Sequence, residues 1–155
     1  MIKELAKKGF KTIRIPITSH NHLIDNNYTI DPKWIERVKT IIDWGIKNGL
    51  YVKINCYHDN AQYSENPITF REGYYPSAKV SEESERFIYN IWRQIATAFN
   101  DGYVHHLILE GLNEPILIGN QYEWNYSKTD KDCQETEEIL NEYMKLFVKD
   151  IRETG

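Results

Sequence analysis

Apolar and polar positions along the chain repeat with two different periods, and these periods predict strands that alternate with helices. Residues 10–15 alternate with a period of two and are rich in β-branched side chains, which is typical of a strand. We expect Pro16 to end this strand, because proline cannot donate to the hydrogen bonds of a sheet. The apolar runs at residues 50–56 and 106–110 are bounded by turn residues and predict two buried strands.

Helical spacing of apolar residues follows each predicted strand and also precedes the first one. The N-terminal helical pattern stops at Gly9, so the sequence begins inside a helix and we expect an upstream part. The next helix is expected to have Asp31 as its N-cap and Pro32 in its first position. Ser81 is expected to cap a third helix, and a last helix is expected to begin at about Cys133.

This order of elements predicts an α/β fold with a parallel sheet. A doubly wound sheet would normally carry a glycine-rich phosphate loop after an early strand, and the sequence has none there. Polar side chains instead mark the strand ends, with Arg14 on the first strand, His58 and Asp59 after the second, and Asn113 and Glu114 after the third. A (β/α)8 TIM barrel carries its chemistry at these ends but takes about 250 residues. We therefore predict a partial barrel with about three strand–helix units.

Composition excludes several functional classes. The 155 residues are 41% hydrophobic and 27% charged, which is typical of a globular protein, and the formal charge of −4 argues against a nucleic-acid or anionic-membrane surface. No apolar run approaches the roughly 20 residues that span a bilayer, and the N-terminus has no secretory signal pattern. Cys56 and Cys133 are predicted to be buried free thiols rather than a bridge. No residue cluster has metal-ligand spacing, so no metal or cofactor is predicted.

Three motifs occupy the predicted strand ends, at residues 9–16, 54–59 and 109–115. They resemble the second, third and fourth strands of glycoside hydrolase family 5, the large cellulase family. Residues 87–99 and the pair Glu123-Trp124 are similar to its branch of bacterial and anaerobic-fungal endoglucanases. The resemblance covers nearly the whole chain. It implies that residues 1–155 are a fragment of one catalytic domain, with helices 2 to 4 of the barrel, and that the enzyme is extracellular.

The resemblance implies a retaining mechanism in which Glu114 acts as general acid and then as general base. Such an enzyme needs two carboxyl groups about 5–5.5 Å apart, one to protonate the leaving oxygen and one to attack the sugar. In the family the attacking group is a glutamate at the end of the seventh strand, which would lie beyond Gly155. The missing C-terminal half of the barrel is therefore an expected partner, and residues 1–155 alone are expected to be inactive or nearly so.

The family also implies residues that bind the substrate around this acid. Asn113 would hydrogen-bond the sugar 2-hydroxyl, a contact that strengthens in the transition state. Arg14 would lie beside the nucleophile, whose charge a guanidinium can hold and orient. His22 and Trp124 are the other expected sugar contacts.

The sequence departs from the family pattern at the end of the second strand. The family usually has two histidines where this chain has Tyr57-His58, and the first of them commonly touches the −1 sugar. Tyr57 can donate a hydrogen bond but cannot reproduce the protonation behaviour of an imidazole. We expect both Tyr57 and His58 to contact the substrate. Ser19 stands where related endoglucanases often have a tryptophan, so one stacking surface is expected to be lost.

Two further expectations concern side chains near the site. Glu110 is predicted to point into the barrel and to pair with Lys53 or Arg14, because a buried charge needs a partner. Several loop aromatics could stack on sugar rings, with local packing as the open alternative for each: Tyr74, Tyr75, Tyr122, Trp124 and Tyr126.

The function predicted from these residues is a retaining endo-β-1,4-glucanase that acts on cellulose-like β-glucans. A non-catalytic glucan-binding protein or a decayed half-barrel is the first alternative, because the nucleophile is absent from these residues and a family histidine is replaced. The second alternative is a related activity on xyloglucan, mixed-linkage glucan, xylan or mannan, because loops outside the motifs set the sugar preference.

Overall fold

Strands and helices alternate along the chain in the predicted order. The structure, a computed structural model, describes residues 1–61, 73–100, 102–103 and 105–154. Single-turn 3₁₀ helices follow the first strand at His20–His22 and precede the third helix at Ala78–Val80. The main elements are α1 (Ile2–Lys7), β1 (Thr12–Ile17), α2 (Pro32–Lys47), β2 (Tyr51–Cys56), α3 (Ser81–Phe99), β3 (Leu107–Glu110) and α4 (Lys131–Glu153).

The three strands form a parallel sheet in the order β1-β2-β3. Its register aligns Arg14 with Lys53, and Asn55 with Glu110 on β3. Because side chains alternate between the two faces of a sheet, these four polar residues all lie on one face. The parallel α/β fold expected from the sequence is confirmed.

The opposite face of the sheet is apolar and packs against the helices. Its strand residues join one large core with the buried faces of α2, α3 and α4. The strand residues in this core are Ile13, Ile15, Ile17, Val52, Ile54, Cys56, Leu107 and Leu109. Each strand therefore contributes an apolar side to the core and leaves its polar side for chemistry.

Two predicted element boundaries are wrong. β1 does not end at Pro16 but continues to Ile17. Every second residue of β1 points its backbone polar groups at β2: the carbonyl of Lys11 accepts from the N–H of Tyr51, and that of Ile17 accepts from the N–H of Tyr57. The backbone of Pro16 lies between two such residues and faces away from β2. Its missing N–H therefore costs no hydrogen bond of this sheet. Ser81 does not cap α3; the preceding 3₁₀ turn makes Val80 the N-cap and Ser81 the first helical residue.

Other predicted ends are confirmed. The Asp31 side chain accepts a hydrogen bond from the backbone N–H of Lys33, with Pro32 at the first helical position. α4 begins at Lys131, two residues before the predicted start, because Asp130 accepts from two backbone N–H groups of its first turn. Cys56 and Cys133 are free and buried, as predicted, and burial raises the pKa of the Cys56 thiol.

Close packing fixes the chain where β3 ends. The indole Nε1 of Trp92, a fully buried residue of α3, donates to the Gly111 carbonyl at 3.0 Å. A Cβ added to Gly111 would lie 2.9 Å from the ring of Phe147 on α4. Trp92 and Phe147 pack edge to face with ring centroids 4.7 Å apart. Two helices thus hold the backbone immediately before Asn113 and Glu114.

Within the part of the chain that the structure describes, no helix has the length and apolar character needed to cross a membrane.

Replacing Gly111 by alanine should lower the free energy of unfolding by about 1–3 kcal/mol, because the Phe147 ring must shift to admit a methyl group. Urea unfolding of the protein would measure the change. The cost should shrink when Phe147 is also replaced by leucine, since the two residues are in contact and their effects should not add. Equal costs in both backgrounds would contradict this account of the packing.

Candidate active site

A carboxylate held between two cations lies on the polar face of the sheet, at the end of β3. Arg14 Nε donates to Glu110 Oε2 at 2.7 Å, and Lys53 Nζ lies 3.5 Å from Glu110 Oε1. The predicted pairing of Glu110 is confirmed, and both candidate partners contribute. The hydrogen bond and charge of Arg14, with the charge of Lys53, hold the pKa of Glu110 below its ordinary value.

Asn113 is tied to the same network through its carbonyl oxygen. Arg14 Nη2 donates to Asn113 Oδ1 at 2.8 Å, and Asn55 Nδ2 donates to the same atom at 3.3 Å. Within the described residues the amide nitrogen of Asn113 has no hydrogen-bond partner. The network thus fixes the orientation of the carboxamide and leaves its N–H groups able to donate to a ligand.

Glu114 follows directly and has an unusual backbone. Its φ is +41°, in the left-handed region that costs a residue with a side chain of order 1–3 kcal/mol. The side chain is exposed and makes no hydrogen bond or ion pair within the described part of the chain. A free carboxyl group at a strained strand end is typical of a functional residue rather than of a structural one.

The end of β2 repeats this arrangement. His58 also has a left-handed backbone, with φ +58°, and is exposed. Its ring packs edge-on against Tyr57, with centroids 3.9 Å apart. The hydroxyl of Thr18 donates to the Tyr57 carbonyl at 2.8 Å, which ties this strand end to the segment after β1. Both predicted residues therefore lie at the C-terminal edge of the sheet, one strand away from Glu114.

His22 and Trp124 do not join the polar network. The His22 ring stacks on Trp34 of α2, with centroids 3.8 Å apart and an interplanar angle of 14°. Trp124 is 78% exposed in the segment between β3 and α4. Among the other loop aromatics, Tyr74 and Tyr75 are buried, so they serve local packing rather than stacking on a sugar ring. The hydroxyls of Tyr122 and Tyr126 donate to carboxylates of Asp130 and Glu137.

Two buried residues hold the site: sequence reasoning missed Asn55, and it placed Asp59 at a strand end without predicting what it binds. Asn55, which is fully buried, orients Asn113, and a polar residue inside an apolar strand was the available signal. Asp59 is 1% exposed and accepts from the backbone N–H groups of Ser19 and His20, with His20 Nδ1 at 2.8 Å. Such partners come from different loops, so no local sequence pattern reveals them. Ser19 itself is fully buried.

Among the described residues, no group of three or more histidine, cysteine, aspartate or glutamate side chains is placed to hold a metal ion. The sheet edge instead presents one free carboxyl, one anchored carboxamide, an arginine and a histidine. These groups can donate a proton, bind hydroxyl groups and orient an anion. They fit acid–base chemistry on a neutral polar substrate.

The sequence matches the family described as Cellulase (glycosyl hydrolase family 5) over residues 1–155. The chain belongs to this family. Endoglucanase B of Ruminococcus albus is 43% identical over 155 residues, which are 100% of this chain and 33% of that protein. Endoglucanase B of Neocallimastix patriciarum is 36% identical over 153 residues, or 98% of this chain and 28% of that protein.

Solved family 5 structures share the fold. A glycoside hydrolase 5 lichenase mutant from a Caldicellulosiruptor species, in complex with cellotetraose, is 36% identical with a TM-score of 0.87; the match covers 99% of this chain and 39% of that one. The chain thus spans about a third of the length of the curated relatives it matches. Its three-stranded parallel sheet is part of a family 5 TIM-barrel domain, as the sequence predicts.

Replacing Glu110 by glutamine should destabilise the protein by about 1–3 kcal/mol at pH 7, because a charged hydrogen bond to Arg14 is lost. The folded-state pKa of Glu110 is below its ordinary value of 4.5, so its stabilising effect is present above that pH and is lost as the pH falls further. Unfolding midpoints measured from pH 7 to pH 3 should therefore converge for the two proteins.

The matched control for this prediction is Glu4→Gln, which breaks an exposed pair with Lys7 on α1. Exposed pairs of this kind contribute little, so its effect should stay within about 0.5 kcal/mol at every pH. A difference between wild type and Glu110→Gln that did not change with pH would contradict the role assigned to the Glu110 charge.

Proposed function

We propose that this chain is the acid–base part of a retaining endo-β-1,4-glucanase that cleaves cellulose-like β-glucans. The observation that carries the proposal is the free carboxyl group of Glu114 beside the anchored Asn113 at the end of β3. Membership of glycosyl hydrolase family 5 and the similarity to endoglucanases support it.

In the proposed reaction Glu114 first protonates the glycosidic oxygen. A second carboxylate attacks the anomeric carbon, the bond to the leaving sugar breaks, and a covalent glycosyl-enzyme forms. Glu114, now deprotonated, removes a proton from water, which attacks the same carbon and frees the nucleophile. We place the nucleophile on a later strand of the barrel, outside residues 1–155, and we expect these residues alone to be inactive or nearly so.

Asn113 and Arg14 have complementary proposed roles around this acid. The free N–H groups of Asn113 are available to the 2-hydroxyl of the sugar, while Arg14 holds the Asn113 oxygen. The guanidinium of Arg14 also presents positive charge to the missing nucleophile. Tyr57, His58 and the exposed Trp124 are proposed to contact neighbouring sugar units, and His22 is proposed to do so through the face that Trp34 leaves open.

The substrate is proposed to be a β-glucan chain, since a related lichenase binds cellotetraose. Mixed-linkage glucan is a second candidate, favoured by the lichenase similarity at 36% identity. An extracellular location follows from the proposed substrate, because a polysaccharide of this size must be cut outside the cell. A purely glucan-binding role would require that the longer protein bind glucan without cleaving it.

Replacing Glu114 by glutamine in the complete enzyme should reduce kcat on an unactivated β-glucan by about 10²–10⁴-fold, because the general acid is lost. A substrate with a good leaving group, such as a dinitrophenyl cellobioside, needs little protonation, so its glycosylation step should be much less affected. Reducing-sugar release and burst kinetics with the aryl glycoside would measure the two effects.

The matched control is Glu142→Gln, an exposed residue of α4 paired with Lys145, which should leave both activities unchanged. Full activity of the Glu114 variant on unactivated glucan would refute its role as the acid. Glucan binding without turnover by the unaltered complete protein would favour the binding alternative.

A further inference from the structure

Two consecutive residues after β2 bind the loops on both sides of them. Asp59 accepts hydrogen bonds from the backbone N–H groups of Ser19 and His20 in the segment after β1, both at 3.0 Å. Asn60 contacts the segment after β3, where its Oδ1 accepts a hydrogen bond from the backbone N–H of Ile116 at 2.9 Å. The pair Asp59-Asn60 therefore links the C-terminal ends of three neighbouring strands.

The contact with Ile116 is close to the proposed acid along the chain. Pro115 has no backbone N–H, so the first N–H after Glu114 that can be held is that of Ile116. On the other side, Arg14 and Asn55 hold the Asn113 side chain. Glu114 lies between these two anchors with a left-handed φ of +41°, a conformation that persists only when the surroundings impose it.

We propose that Asn60 is a positioning residue for Glu114: by holding the N–H of Ile116 it keeps the backbone of Glu114 in the strained conformation that presents the carboxyl group. This inference rests on the proposed function of Glu114. Asn60 does not touch the reacting atoms and acts only through the peptide that follows Pro115.

Asn60 can do this because its own backbone is firmly held. The N–H of Tyr74 donates to the Asp59 carbonyl at 2.9 Å, and the N–H of Ala61 donates to the Tyr74 carbonyl at 2.6 Å. Gly73 allows this approach, since a Cβ there would lie 2.0 Å from the Asp59 carbonyl oxygen. The carboxamide is oriented as well, because Asn60 Nδ2 donates to the Ala61 carbonyl at 3.0 Å.

Charge also favours an asparagine here. A neutral carboxamide accepts the N–H of Ile116 without adding a negative charge near Glu114. A second carboxylate nearby would raise the pKa of the acid by repulsion. Asn60→Asp keeps an acceptor for the Ile116 N–H, although it loses the donor to the Ala61 carbonyl and adds a charge, so it tests whether that acceptor is what positions Glu114.

The test uses Asn60→Ala, Asn60→Asp and wild type in the complete enzyme, each assayed on an unactivated β-glucan and on an aryl cellobioside with a good leaving group. We expect Asn60→Ala to lower kcat on the glucan by about 10- to 100-fold, because a misplacement of about 1 Å can cost that much. KM should change little, and the glycosylation of the activated substrate should change less than threefold, since it needs little acid catalysis.

Asn60→Asp should recover most of the kcat on glucan. It should also move the alkaline limb of the pH–rate profile to higher pH, because the added negative charge favours the protonated form of Glu114. Asn48→Ala is the matched control, because Asn48 also donates to a backbone carbonyl, that of Trp44, but at the far end of α2. It should leave the ratio of the two activities at the wild-type value. If Asn60→Ala proved too unstable to purify, Asn60→Asp and Asn60→Ser would supply the comparison.

Equal losses on both substrates, or no loss on either, would overturn the positioning role. A Glu114→Gln variant assayed beside them separates the two proposals. If Glu114→Gln discriminates between the substrates and Asn60→Ala does not, only the inference about Asn60 fails. If Glu114→Gln itself does not discriminate, the proposed function fails.

Discussion

The ion pair of Glu110 with Arg14 and Lys53 is the interaction on which the arrangement of the site depends. Three neighbouring strands contribute one charged residue each, and the parallel register brings them together on the polar face of the sheet. Without Glu110, two cations would face each other on adjacent strands. With it, Arg14 is fixed by one nitrogen and uses another to hold Asn113. The ion pair thus fixes the orientation of the Asn113 carboxamide, which we propose binds the substrate.

The fold could be predicted from the sequence because its signals are local. Periodicity places the strands and helices, and Asp31 and Pro32 mark a helix start through their own backbone chemistry. Pro16 misled the prediction for a physical reason: the rule against proline in strands applies only where the missing N–H would face a neighbouring strand. At Ser81 the preceding 3₁₀ turn already supplied the capping position.

The site was predictable only in part. Arg14, His58, Asn113 and Glu114 follow from polar residues at strand ends, and the Glu110 pairing follows from the cost of an isolated buried charge. The roles of Asn55, Asp59 and Asn60 do not follow, because each depends on a partner far along the chain that is brought near by the parallel register. His22 differs from these residues, because its stacking partner Trp34 is only twelve residues away, on the helix that follows His22 along the chain.

The left-handed backbone at Glu114 has a consequence for how such a protein can change over time. A glycine adopts this conformation without steric cost, so Glu114→Gly would remove the carboxyl group and relieve strain in the same step. The substitution that would remove the proposed acid would then also make the protein more stable. Selection for the proposed activity would oppose this tendency, and where that selection is relaxed, the proposed sugar contacts could remain after the acid is lost.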